Sequence, residues 1–139
     1  MTTTAPAYMS TLLAPGQNLL RAALRLDAVI TGVNGLAYLA LSGPLESLLG
    51  LDREIGIPIG IFLTLYGIGV ALVGMAKTIN TKAAAVAAAA NAAWVVVSLA
   101  ALVEGVLELN LVGSIWTVMQ AATVGGFAAL QYLGIRKAR

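Results

Sequence analysis

The side chains of this sequence that could do chemistry are few, and most are carboxylates and amides. There is no Cys and no His. That absence removes thiol–disulfide exchange, His-ligated haem, zinc sites and the commonest general acid–base group. What remains within apolar surroundings is a stripe on the first apolar run: Asp27, Thr31, Asn34 and Tyr38, spaced i, i+4, i+7 and i+11. On a helix, that spacing gathers all four into one narrow arc. Further on, Asn91 and Ser98 share a face with Trp94 beside it, and Gly113, Thr117, Gln120, Val124, Phe127 and Gln131 align on the last apolar run.

Asp27 is the only ionisable member of the first stripe, and a carboxylate near a membrane span is a functional candidate by default. Its plainer role, which the sequence favours, is an ion pair with Arg136, Lys77 or Lys82 about one turn inside the interface. Four-helix proton-coupled exporters also carry a helix 1 carboxylate, but nearer the middle of the span. The amides are deeper. Asn34 lies about 13 Å beyond Arg25 and Asn91 about 13 Å beyond Lys82, at a helical rise of 1.5 Å per residue. In hydrocarbon, an unpaired amide costs several kcal/mol, so both should face inward. Their expected partners are each other, Thr31 or Gln120. Asp27, Thr31, Asn34, Tyr38, Asn91, Ser98 and Gln120 thus form either a polar pocket or interhelical glue, and glue is the simpler reading.

The elements that position these residues follow from composition. Of 139 residues, 60% are hydrophobic and 10% charged, against roughly 25% charged in soluble domains. Such a chain cannot coat itself in polar surface, and the continuous rather than alternating apolar runs exclude strands. A bilayer core of about 30 Å needs about 20 helical residues. Four spans are predicted over residues 26–42, 55–76, 83–106 and 111–135, the first extendable back through Asn18–Arg25 and stopped by Gly43-Pro44. Short connections predict an all-α, up-down-up-down four-helix bundle. Residues 1–17 form a polar N-terminal segment that should be mobile if nothing holds it. A signal peptide is the competing reading of the first run, but its basic residues sit late and its polar lead is long.

Arg21, Arg25, Lys77, Lys82, Arg136, Lys137 and Arg139 all fall on one predicted side; Glu46, Asp52, Glu54, Glu104 and Glu108 fall on the other with Arg53. Positive-inside sorting then predicts a bacterial cytoplasmic membrane protein with both termini cytoplasmic. The acidic rim has no ligand spacing, so no metal and no cofactor is expected. The net charge of +2 forms no basic face, which excludes nucleic acid. On the second span, Gly56, Gly60, Thr64, Gly67, Ala71 and Gly74 make a nearly side-chain-free seam for helix packing.

The runs LRLDAVITGVNGLAYLALSGPLESLLGL, NAAWVVVSLAALVEG and WTVMQAATVGGFAALQYLGIRKAR resemble small four-helix bacterial integral membrane proteins of uncharacterised function, and more distantly DoxX-like proteins. The resemblance spans Leu24 to Lys137, with Asp27, Asn34 and Pro44 at characteristic positions. It implies the four-helix architecture and carries no activity. The expected function is non-enzymatic: an accessory, assembly or scaffolding component that packs as a homo-oligomer or within a larger membrane complex in the lipid bilayer. The alternative is a small dimeric transporter or a binder of lipid or hydrophobic small molecules.

Overall fold

The computed structural model describes residues 16–138, which form five α-helices and no strand. These are α1 (Asn18–Ala40), α2 (Ser42–Leu49), α3 (Arg53–Met75), α4 (Thr81–Glu104) and α5 (Leu111–Ala138). By length and composition, α3, α4 and α5 can each cross a membrane; α1 and α2 reach that measure only together, across a 94° bend. Apart from Gly16 and Gln17, the polar N-terminal segment lies outside the described residues.

Sequence signals set the boundaries, with two departures. First, α1 starts at Asn18 rather than Leu26, because Leu19, Leu20, Ala23 and Leu24 are helix formers and all are buried. Second, Pro44 does not sit in a loop. It occupies the first turn of α2, where its missing N–H would have no helical partner. Elsewhere the caps are conventional. The Asp52 carboxylate accepts from the Glu54 N–H to start α3, and Asn80 Oδ1 accepts from the Lys82 and Ala83 N–H groups to start α4. Gly50 (φ 75°) and Gly105 (φ 70°) end α2 and α4 in the left-handed region, so α4 stops at Glu104.

The α3 glycine seam faces α1 of the same chain. A Cβ at Gly74 would meet Leu24, one at Gly67 would meet Gly32, and one at Gly60 would meet Tyr38 and the Gly35 carbonyl. Numbers fall along one helix as they rise along the other, so the pair is antiparallel. α5 closes on the same helix, with Gly134 pressed against the Leu20 backbone, and it also packs along α4. By contrast, α3 and α4 barely touch through their backbones although they are consecutive. The short connection does not force close packing here, because Phe62, Tyr66 and Trp94 stand between them in a stack. Phe62 lies 5.7 Å from Trp94 and 5.9 Å from Tyr66, centroid to centroid.

Both ends are tied. At the basic end, the Arg21 guanidinium donates to the carbonyls of Gly74, Ala76 and Lys77, and Arg25 Nε donates to that of Gly74. These carbonyls lack helical partners, and the α3 C-terminus favours positive charge. Gln17 exchanges two hydrogen bonds with the Ile79 backbone, and the Gly16 N–H donates to the Lys137 carbonyl. At the acidic end, Asn110 Oδ1 caps α5 by accepting from the Gly113 N–H, while its Nδ2 and backbone N–H donate to the Leu48 and Leu49 carbonyls of α2.

Candidate functional site

Counting from the helix starts, Asp27 lies about 14 Å along α1 and Asn91 about 15 Å along α4. Gln131 on α5 and Tyr66 on α3 come from the same level, so each of the four long helices contributes to it. Asp27 therefore lies more than two turns inside α1. Arg25, two residues before it, is itself helical, and its long side chain reaches back to the α3 terminus.

The Asp27 carboxyl is fully buried. Its Oδ1 accepts from Thr31 Oγ1 at 2.7 Å; its Oδ2 accepts from Asn91 Nδ2 at 2.8 Å and Gln131 Nε2 at 2.7 Å. Asn91 Nδ2 also donates to Gln131 Oε1 at 3.0 Å. Tyr66 OH reaches Asn91 Oδ1 at 3.1 Å and donates to the Ala87 carbonyl at 2.8 Å. The expected ion pair with Arg136, Lys77 or Lys82 does not form; every described partner of the carboxyl is a neutral group. Among the described residues, no buried side-chain nitrogen or oxygen lacks a hydrogen bond, as a polar cluster in low dielectric requires.

Beside this cluster lies a cleft of two lobes, about 220 and 240 Å³. Asn34, Leu63, Trp94, Trp116 and Gln120 belong to both lobes. The inner lobe shares Thr31, Tyr66 and Asn91 with the Asp27 cluster and adds Phe62 and Phe127; Phe62, Met119 and Thr123 on its wall are exposed. The outer lobe runs past Tyr38 and Ser98 to Leu49, Leu51, Leu107 and Leu109. Two indoles are fixed by their N–H groups: Trp94 donates to Gln120 Oε1 at 2.9 Å and Trp116 to Tyr38 OH at 2.8 Å.

The seven polar candidates thus divide. Asp27, Thr31 and Asn91 form the buried cluster, whereas Asn34, Tyr38, Ser98 and Gln120 line the cleft. Asn34 pairs with neither Asn91 nor Thr31, and among the described residues its amide makes no hydrogen bond. Gln131 and Tyr66 were the members that sequence reasoning passed over. Gln131 was visible in the α5 stripe, while Tyr66 carries no signal of its own because α3 has apolar residues on every side. Trp116 points inward, onto the cleft wall and Tyr38. Among the described residues, no three potential metal ligands come together. Comparisons with protein-family profiles, curated proteins and solved structures found no match, so the resemblance noted above rests on the sequence runs alone.

Proposed function

We propose that this chain is a membrane-integrated up-down-up-down bundle that holds a hydrophobic small molecule or lipid chain in the cleft beside α3 and α4, without catalysing a reaction. In this reading α1 and α2 form the fourth, broken span, and the basic end of the bundle, with both termini, faces the cytoplasm of a bacterial cell. The inverted burial pattern supports membrane integration. Leu65, Leu72, Val86, Val103 and Leu111 are each more than 60% exposed, while Asp27, Thr31, Asn91, Thr117 and Gln131 are buried.

The observation that carries the binding reading is the two-lobed cleft. Its combined size falls within the ~300–1,000 Å³ of small-ligand sites, and its lining is mostly apolar with a few convergent amides. A bundle whose only task was to dock elsewhere would gain from packing this space. The accessory-subunit reading drew on the α3 glycine seam as a docking face, and α1 of the same chain occupies that seam.

Leu63 lies on the wall common to both lobes. Leu63→Phe is expected to weaken binding of a brominated alkyl chain by about fivefold or more, the equivalent of about 1 kcal/mol of overpacking. Quenching of Trp94 and Trp116 fluorescence reports it. Leu72→Phe, on an exposed apolar face, should leave quenching unchanged. Equal quenching in wild type and both variants would assign the signal to surrounding lipid and remove the binding reading.

A further inference from the structure

Every described hydrogen-bond partner of the buried Asp27 carboxyl is a group that can donate, the arrangement an ionised carboxylate requires, and no opposite charge lies beside it. On its own helix, Arg21 and Arg25 are committed to carbonyls at the end of α3. From α3 the group facing the cluster is the Tyr66 phenol, and α4 and α5 present the amides of Asn91 and Gln131. These three donors match an ionised carboxylate, and they would leave its net charge in a low-dielectric interior. Such a charge is strongly favoured by any cation that can approach it without water.

The cleft offers that approach. Thr31, Tyr66 and Asn91 are at once the wall of the inner lobe and the hydrogen-bonded cluster around Asp27. A ligand head there is separated from the carboxylate by one layer of side chains. The same lobe is walled by the Tyr66–Phe62–Trp94 stack, and by Trp116 and Phe127 from α5. Faces of aromatic rings attract alkylated ammonium groups, which is how aromatic cages recognise quaternary amines. The outer lobe is mainly apolar, with Leu49, Leu51, Leu107 and Leu109 at its far end, and suits a hydrocarbon chain.

We infer that the cleft selects amphiphilic cations, with an alkylammonium head in the inner lobe opposite Asp27 and its hydrocarbon chain in the outer lobe. The inference rests on the proposed binding function and adds the charge of the ligand. Asn34, common to both lobes, sits where head and chain would join, and its free amide oxygen can accept from a protonated amine.

The test compares three probes that share a dodecyl chain: dodecyltrimethylammonium, dodecanol and dodecyl sulfate. Each is titrated into the full chain in uncharged maltoside micelles, with Trp fluorescence and native mass spectrometry as readouts. In wild type, the ammonium probe should bind at least roughly tenfold more tightly than the alcohol, as expected for one unscreened charge at close range, with the sulfate weakest. Asp27→Asn should bring the ammonium and dodecanol affinities together, and Asp27→Glu should keep the preference for the cation. The wild-type series stands alone should Asp27→Asn fail to fold. If dodecanol binds as well as the ammonium probe, the charge inference is overturned and the binding function survives. If none of the three binds, both fall.

Discussion

Gly35→Ala is expected to lower stability by about 3 kcal/mol, at the upper end of the overpacking range, whereas Gly32→Ala, three residues earlier on the same helix, should leave it unchanged or raise it by about 0.5 kcal/mol. A Cβ at Gly35 would stand 2.5 Å from the Thr64 backbone nitrogen and 2.6 Å from Thr64 Oγ1. The hydroxyl, which donates to the Gly60 carbonyl at 2.8 Å, could turn away. The backbone nitrogen cannot, so α1 and α3 must separate along their tightest stretch. A Cβ at Gly32 meets nothing within 4 Å, and replacing a helical glycine there removes only its excess freedom in the unfolded chain. Reversible unfolding in mixed detergent micelles measures both. Equal effects from the two substitutions would mean that α1 and α3 do not meet at this register. The same separation would shift Asn34 against Leu63, neighbours of Gly35 and Thr64 on opposite walls of the cleft, so Gly35→Ala should weaken ligand binding as well.

That contrast also marks what the sequence could reveal. The long apolar helices were legible because runs of apolar residues with terminal caps are local signals, and α3, α4 and α5 fall close to their expected limits. The bend after Ala40 was signalled by Gly43-Pro44, but local composition does not distinguish a loop from a short helix folded back at 94°. A glycine stripe also says that something approaches closely without saying what. Gly60, Gly67 and Gly74 would suit another copy of the chain equally well, and only the register with Gly35, Gly32 and Leu24 assigns them to α1.

The polar residues were legible as a set and illegible as pairs. The i, i+4, i+7, i+11 spacing placed Asp27, Thr31, Asn34 and Tyr38 on one inward arc, but their partners depend on how far the helices are shifted along their axes. A shift of two turns exchanges an Asn34–Asn91 pairing for the observed Asp27–Asn91 pairing. The start of α1 at Asn18 sets that shift, through the hold of Arg21 and Arg25 on the α3 terminus. The aromatic stack was hidden for a different reason: an aromatic in an all-apolar helix carries no periodic signal of which way it faces.

The second large effect concerns the Asp27 cluster itself. Asn91→Leu is expected to cost about 3 kcal/mol, because it removes a donor to a buried carboxyl and leaves Gln131 Oε1 without its partner in the cluster. Leucine keeps asparagine's branching and heavy-atom count and leaves no cavity, so lost hydrogen bonding should account for most of the loss. In an Asp27→Leu background the same substitution should cost only about 1 kcal/mol. No charge is then left to satisfy, Gln131 loses both of its partners in the cluster in either order, and the Tyr66 hydroxyl keeps the Ala87 carbonyl. The coupling of roughly 2 kcal/mol lies within the range for residues sharing a network. It separates the two roles that the sequence left open. If the two substitutions prove additive, Asn91 holds the helices together independently of the charge. Strong coupling means that the amides of α4 and α5 are arranged around the carboxylate, as a bundle that keeps a charge beside its cleft requires.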